Sequence, residues 1–314
     1  MAEEKIQVVV VYTHNVSRAI RVHELPKPGE TVRSIGYSEG IDGAKGTNVA
    51  IALGRLGISA ALVSSVRQGE WIEHGQTLLK QAGVNDSFIH KYEDPSYSRG
   101  AMFIDDHGNN MIVLSSGQQY IPEALIDEAL DRFQGADYCV TGYELGEHGV
   151  KQAIFAANKR GLKTIVNPSP VPDSLPDYWD KVDIVVLNEH ELARLLNDES
   201  AAVNDMHMKE SLFRLRSRSR CGSVVLTLGE RGYMVLTGDS IAAEPGIKVE
   251  KVIDTSGAGD GFLAALTAGL VKGLSLQDAC SWANRYSSIS IQRDGTISCY
   301  PQLEEAERIA GTLG

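Results

Sequence analysis

The sequence predicts an α/β fold in which helices cover both faces of a mostly parallel sheet. Short runs rich in β-branched residues alternate with longer helical patterns, as in βαβ units. Polar residues follow several of these runs, and ligands of open α/β sheets bind beyond the carboxyl ends of strands. Two glycine-rich turns each lead into a helical pattern. We therefore expect a three-layer αβα sandwich with one ligand-binding edge.

The candidate strands are short apolar runs. Residues 8–11 are four consecutive valines after a charged N-terminus, too short for a transmembrane helix and without a signal-peptide layout. We interpret them as the buried first strand of a cytoplasmic protein. The other runs lie at 60–64, 138–141, 164–167, 184–187 and 224–227.

Two further segments have the alternating pattern of hairpin strands with half-buried faces. Residues 19–22 pair with 32–37 in this interpretation, and residues 100–105 pair with 110–114 across a turn at 106–109. Neither segment has the pattern of a strand followed by a helix. We expect them to form hairpins outside the βαβ units.

The most informative turn is DTSGAGDGF at 254–262, followed by an apolar run at 263–271. Gly257 and Gly259 allow backbone amides to face an anion, and the helix N-terminus adds its unpaired N–H groups. Asp260 lies in the first turn, where a carboxylate can take a proton from an attacking hydroxyl. The pattern suits phosphoryl transfer to an alcohol. A structural alternative stays open, in which Asp254 or Ser256 caps the helix and the glycines only make a tight turn.

A second turn, GAKGTN at 43–48, precedes another helical pattern that ends at Gly57. Lys45 lies between glycines, yet the GxxxxGK[ST] pattern of P-loop proteins is absent, and no GxGxxG follows the first strand. A P-loop enzyme and a dinucleotide-binding oxidoreductase are therefore disfavoured.

Composition narrows the range of functions. The 314 residues are sufficient for one α/β domain, and we expect a single domain over 1–314. The net charge of −11 argues against a nucleic-acid or anionic-membrane partner. The four cysteines are widely spaced and have no metal-binding or redox spacing, so we expect reduced thiols.

The two glycine turns resemble the two signatures of the ribokinase-like, PfkB-type carbohydrate kinases. Other landmarks of that family follow in the expected order, and the resemblance covers nearly the whole chain: PGET at 28–31, NPSP at 167–170, NEHE at 188–191 and TLGERG at 227–232. The resemblance implies a ribokinase-like fold and ATP-dependent transfer of the γ-phosphoryl group to a primary hydroxyl. The acceptor would be a pentose, a ketose, a deoxy sugar or a related polyol.

The resemblance also implies a role for individual residues. Asp260 would be the catalytic base, and the backbone of Gly257, Ala258 and Gly259 would stabilise the transferring phosphoryl group. Mg²⁺ would bind through water near Asn188 and Glu191, although Asn188 has an alternative role as a helix N-cap. The residues expected to hold ATP are Thr227, Gly229, Gly232 and Asn284. The residues expected to hold the acceptor are Asn15, Ser17, Gly43, Ala44, Lys45, Asn48 and Glu144.

Two departures from the family pattern fall at the acceptor. Ser17 stands where the family has an aspartate, and Ala44 stands where it has glycine. We therefore expect a preferred substrate other than ordinary D-ribose. The rival functions are a nucleoside kinase of the same superfamily and a non-catalytic regulator that binds a sugar or a nucleotide.

The resemblance implies a small β-sheet lid formed by segments at about 14–40 and 97–115, through which two copies would form a homodimer. A monomer whose lid edge is short and polar stays open as the alternative. It also implies a potassium ion near Asp254, Ser256 and Gly295. Cys299 stands where a serine oxygen would help to bind that ion, and a thiol is a poor ligand for a hard cation. The sequence therefore leaves activation by potassium open.

Overall fold

The computed structural model describes residues 5–14, 18–39, 44–67, 70–92, 100–107, 109–114 and 120–313. The strands in this part of the chain are β1 Val8–Val11, β2 Arg18–Arg21, β3 Gly36–Glu39, β4 Ala60–Arg67, β5 Asn85–Tyr92, β6 Gly100–Ile104, β7 Asn110–Leu114, β8 Tyr138–Gly142, β9 Lys163–Asn167, β10 Ile184–Asn188, β11 Ser223–Thr227, β12 Tyr233–Thr237 and β13 Ser240–Glu244. The helices are α1 Ala44–Arg55, α2 Glu70–Gln81, α3 Glu123–Arg132, α4 Gly146–Lys159, α5 Glu189–Leu196, α6 Asp205–Ser219, α7 Ala258–Val271, α8 Leu276–Ser290 and α9 Leu303–Ala310.

The large sheet has the order β13-β12-β11-β10-β9-β8-β1-β4-β5 among the described residues. The strands from β5 to β11 in this order are parallel, and β12 and β13 are antiparallel additions at one edge. All six predicted strands of the βαβ pattern are present. The prediction of a mostly parallel sheet is therefore confirmed.

Helices pack on both faces of the large sheet, and the alternation of side chains along β1 shows why. Val8 and Val10 belong to a core with α1, α7, α8 and α9, whereas Val9 and Val11 belong to a second core with α3, α4, α5 and α6. Successive strand residues point to opposite faces of the sheet, so the side chains of the four valines are buried alternately in the two cores. This explains a continuous apolar run without polar alternation, and it confirms the three layers.

The small sheet has the order β3-β2-β6-β7. The pairs β2–β3 and β6–β7 are antiparallel, as predicted, and a parallel contact between β2 and β6 joins them. The predicted strand at 32–37 is wrong in its limits, because the strand observed there is Gly36–Glu39. Since β2 contains four residues, pairing stops at Arg21 opposite Gly36 and leaves Val32 beyond the ladder.

The two faces of the small sheet differ in burial. Ala19, Met102 and Ile104 form a small buried cluster on the face turned inward. Tyr37, Met111 and Val113 lie on the opposite face and are 60%, 43% and 51% exposed. The small sheet therefore has apolar side chains on both faces, buried on the inner face and exposed on the outer face.

Two predictions about the whole chain have outcomes in the structure. Cys139, Cys221, Cys280 and Cys299 are all buried and free, so the expectation of unpaired thiols is confirmed. Within the described residues, no helix combines the length and the apolar character needed to cross a membrane.

Candidate active site

The N-terminus of α7 is built on a turn that requires glycine. Gly257 is the N-cap residue with φ 73°, a left-handed conformation that L side chains rarely adopt. A Cβ at this position would lie 2.5 Å from Thr296 Cγ2 and 2.6 Å from the Tyr300 hydroxyl. The Tyr300 hydroxyl donates a hydrogen bond of 2.9 Å to the Gly257 carbonyl. Packing and backbone conformation therefore both fix this residue.

Gly259 differs, because a Cβ added there would meet no atom within 4 Å. It lies in the first turn of α7, and its conformation is open to any residue. Neither packing nor dihedral angle in the protein itself explains a glycine here. Space beside the first turn of a helix is where an anion is stabilised by unpaired N–H groups, so the open space suits a phosphate.

The structural alternative for this turn is wrong in one respect. The N-cap residue is Gly257, which has no side chain to cap the helix. The Asp254 carboxylate instead accepts hydrogen bonds from the backbone N–H groups of Ser256, at 2.8 Å, and Gly295, at 3.2 Å. Asp254 therefore shapes the loop before α7.

Asp260 follows in the first turn of α7 and is buried, with only 7% of the residue exposed. Asn48 Nδ2 donates a hydrogen bond of 2.8 Å to Asp260 Oδ2, and Lys45 Nζ lies 3.4 Å from Oδ1. Both partners come from the first two turns of α1. The structure thus brings the two glycine-rich segments together at one carboxylate.

The start of α1 lies against the end of β1. A Cβ on Gly46 would lie 2.2 Å from the Thr13 carbonyl oxygen, so only glycine permits this approach. Ala44, the first residue of α1, has φ 63° although it is not glycine. Lys45 is held between these two special positions, which directs its side chain to Asp260.

Glu144 lies in a one-turn helix directly after β8. Its Oε2 accepts a hydrogen bond from the Thr13 hydroxyl and another, of 3.3 Å, from the backbone N–H of Lys45. Burial lowers the pKa of Lys45, but the nearby carboxylates of Asp260 and Glu144 outweigh it and leave the pKa raised. Lys45 is therefore a positive charge held between two acidic groups.

Asn188 and Glu191 form a complete capping box at the start of α5. Asn188 Oδ1 accepts from the Glu191 N–H at 2.9 Å, and Glu191 Oε2 accepts from the Asn188 N–H at 2.8 Å. The N-cap alternative for Asn188 is thus confirmed. Burial raises the pKa of Glu191, while the charge of Lys45 opposes that shift. The positive charge of Lys45 therefore acts on Glu191 as well as on Asp260 and Glu144.

The residues predicted to bind nucleotide lie around β11 and α8. Thr227 ends β11 and donates a hydrogen bond of 3.3 Å to the Leu187 carbonyl. Gly229 and Gly232 have φ 56° and 90°, and a Cβ on Gly232 would lie 2.0 Å from the Glu244 carbonyl oxygen. Asn284 on α8 donates a hydrogen bond of 2.9 Å to the Pro245 carbonyl. Gly232 and Asn284 therefore each have a structural role that does not depend on nucleotide binding.

Three predicted acceptor residues, Asn15, Ser17 and Gly43, lie outside the described residues. Three contributors to the site were missed: Thr13, which bonds Glu144; Tyr300, which bonds Gly257; and Arg21, whose guanidinium bonds Asp294. Thr13 could have been found, because it is a polar residue just beyond the first strand. Arg21 and Tyr300 carry no local signal, since their contacts join segments far apart in the chain.

The fold and this site define a ribokinase-like phosphotransferase. The chain belongs to the pfkB family of carbohydrate kinases, whose pattern matches residues 7–303. It is 29% identical over 311 residues to the ribokinase of Schizosaccharomyces pombe, covering 96% of this chain and 97% of the relative. It is 26% identical over 302 residues to the deoxyribokinase of Salmonella typhi, with 96% and 97% covered.

A solved structure gives the same fold. The Arabidopsis thaliana ribokinase complexed with ribose and ATP aligns with a TM-score of 0.85 at 22% identity, covering 98% of this chain and 99% of that one. The expected fold class and family are therefore confirmed, together with the expectation of an enzyme that phosphorylates a sugar.

Proposed function

We propose that this protein transfers the γ-phosphoryl group of ATP to the primary hydroxyl of a sugar, and that Asp260 is the base. The observation that carries the proposal is the buried contact of Asp260 with Asn48 and Lys45, directly beside the open side of Gly259. A carboxylate held next to a space that can receive a phosphate can accept the proton of an incoming hydroxyl.

The first turn of α7 supplies the other half of the chemistry. In this proposal the backbone N–H groups of Gly257, Ala258 and Gly259 stabilise negative charge on the transferring phosphoryl group. Phosphoryl transfer depends mostly on position and charge stabilisation, so a rigid turn matters. The contacts of Gly257 with Thr296 and Tyr300 provide that rigidity.

The acceptor would lie between the carboxyl end of β1 and the start of α1. Lys45, Asn48 and Glu144 converge there, and amide and carboxylate groups can each bond adjacent sugar hydroxyls. Asn15, Ser17, Gly43 and Ala44 complete the proposed pocket by sequence position. Because Ser17 and Ala44 alter it, we propose a deoxy sugar, another pentose, a ketose or a polyol in preference to ordinary D-ribose.

ATP would bind along the carboxyl ends of β10 and β11, with Thr227, Gly229, Gly232 and Asn284 near it. The open space at Gly259 fits its terminal phosphates. Asn188 and Glu191 offer oxygen atoms for waters around Mg²⁺, which prefers hard oxygen ligands and keeps several waters. The metal ion would neutralise phosphate charge, while Asp260, Lys45 and the α7 amides orient the reacting groups.

We further propose that the chain is one domain with a lid formed by about 14–40 and 97–115, and that two copies associate through the lid. Tyr37, Met111 and Val113 form an exposed apolar face. This supports the proposal that the same face of a second copy covers it. Closure would exclude water, a competing acceptor. We also propose a cytoplasmic location, in keeping with free, buried cysteines.

The test is ADP formation from ATP and Mg²⁺ across pentoses, hexoses, deoxy sugars, polyols and nucleosides, with a reaction lacking acceptor and the Asp260→Asn variant as controls. Turnover with one sugar that disappears in both controls supports the proposal. Turnover with nucleosides alone would favour a nucleoside kinase. Tight sugar or nucleotide binding without turnover would favour a regulator, and ribose as the best acceptor would contradict the substrate proposal.

A further inference from the structure

Arg21 joins the small sheet to the loop that leads into α7. It is the last residue of β2 and lies on the inward face of the small sheet, the face of Ala19 and Ile104. Its Nη2 lies 3.7 Å from Asp254 Oδ2 and bonds Asp294 Oδ1. The aliphatic part of the side chain lies beside Gly36, where an added Cβ would be 3.5 Å from the Arg21 Cβ.

Asp254 is a buried anion that requires a positive partner. Its side chain is 0% exposed, whereas the Arg21 side chain is 35% exposed. Burying a carboxylate without partners is costly, so a neighbouring cation and hydrogen-bond donors stabilise it here. Two backbone N–H groups, of Ser256 and Gly295, supply the donors, and the guanidinium supplies the charge.

The family resemblance implies a monovalent cation at this same place, where the Arg21 guanidinium already lies beside the Asp254 carboxylate. Both Asp254 oxygens already accept N–H groups, and Arg21 faces Oδ2. The protein itself provides the positive charge here.

We propose that Arg21 is a built-in replacement for an exchangeable monovalent cation and the positioning residue that couples the small sheet to the phosphate-binding turn. The coupling runs from Arg21 through Asp254 to the Ser256 N–H, one residue before Gly257. A planar guanidinium can contact Asp254 and Asp294 together, which a lysine ammonium does less well. The turn is therefore ordered without potassium, and its order depends on the lid.

The inference rests on the proposed function, because it concerns nucleotide binding at the α7 turn. The experiment is calorimetric titration of ADP in tetramethylammonium chloride and in potassium chloride of equal concentration. The proteins are the wild type, Arg21→Met, Arg21→Lys and, as a matched control, Arg33→Met, which removes an exposed arginine from the segment between β2 and β3. Melting temperatures of the variants establish that they are folded.

We expect the ADP affinity of the wild type and of Arg33→Met to agree in both salts within about twofold. The ADP affinity of Arg21→Met should be about tenfold lower than that of the wild type in tetramethylammonium chloride and should recover in potassium chloride. Loss of the guanidinium opens the Asp254 carboxylate to an exchangeable cation. Arg21→Lys should stay independent of the salt, with weaker binding than the wild type. kcat should follow the same pattern once an acceptor is known.

Equal affinity of Arg21→Met and the wild type in both salts would overturn the proposal. An equal loss in both salts would also overturn it, because the guanidinium would then not stand in for an exchangeable ion. If Arg21→Met does not fold, Asp294→Asn changes a partner whose side chain is 69% exposed. For Asp294→Asn we expect ADP binding about threefold weaker than in the wild type in tetramethylammonium chloride, and restored in potassium chloride. Unchanged ADP binding in this variant would contradict the proposal. Absence of ADP binding in the wild type would instead count against the proposed function.

Discussion

The side-chain amide of Asn48 donates a hydrogen bond of 2.8 Å to the Asp260 carboxylate, although the two residues are 212 positions apart. Each lies near the start of its own helix, α1 or α7, and the two helices pack against each other in one core. The contact therefore fixes a carboxylate at a helix N-terminus relative to the end of β1. The proposed catalytic role of Asp260 depends on this contact.

Asn48→Ala should lower kcat by about 10- to 100-fold, because a hydrogen bond to a charged group is worth about 1.5–3 kcal/mol. Nucleotide affinity should change little, since Asn48 lies on the acceptor side. Steady-state kinetics and ADP titration measure the two quantities. The matched control is Asn158→Ala on α4, which deletes an amide that donates hydrogen bonds to the Ile154 and Lys181 carbonyls. That variant should keep its kcat, and a similar loss in both variants would mean a general effect on stability.

Gly259→Ala should increase stability and decrease activity. The position is helical and a Cβ meets no atom within 4 Å, so alanine should stabilise α7 by about 0.5–1 kcal/mol. The methyl group would occupy the space proposed for phosphate, so ADP affinity and kcat should both fall at least tenfold. Thermal melts and calorimetry test the two effects. Unchanged ADP binding in this variant would contradict the proposed phosphate site.

Ala44→Gly should stabilise the protein by about 0.5–1 kcal/mol. The left-handed conformation of Ala44, with φ 63°, costs an L residue about 1–2 kcal/mol, and the greater chain entropy of glycine in the unfolded state offsets part of the gain. Denaturant melts measure the difference. The control Ala124→Gly, at an exposed helical position in α3, should destabilise the protein instead. Destabilisation by both changes would show that Ala44 is not strained.

His14 should make the protein less stable as the pH falls from about 6.5 to about 4. Burial lowers the pKa of His14 from 6.5 to about 4, so the unfolded state binds the proton first on acidification. The free energy of unfolding should fall by about 3 kcal/mol across this range, at 1.36 kcal/mol per pKa unit. The check is to compare denaturant melts of the wild type and His14→Gln at several pH values. Equal pH slopes in the two proteins would refute this assignment.

Much of the fold could be predicted because its signals are local. β-branched runs, glycine turns and strand-end polar residues each depend on a few neighbouring positions, and they predicted the parallel sheet and its ligand-binding edge. The roles expected for Lys45, Asn48 and Asp260 came from the family resemblance. The limits of β3 were wrong because the length of β2, and not the sequence at 32–37, decides where pairing stops.

The rest of the site depends on contacts between distant segments. Tyr300 bonds Gly257 from a loop after α8, and Arg21 reaches Asp254 from another sheet. No pattern near either residue indicates its partner. The sequence also could not separate a glycine required by packing, such as Gly257 or Gly232, from one with open space beside it, such as Gly259.

The most direct test of the account is kcat of Asp260→Asn with the best acceptor, measured together with ADP affinity. The amide is nearly the same size as the carboxylate and cannot accept the proton, so we expect turnover to fall by at least a hundredfold while ADP binds within a few-fold of the wild type. Turnover within a few-fold of the wild type would contradict the assignment of Asp260 as the base.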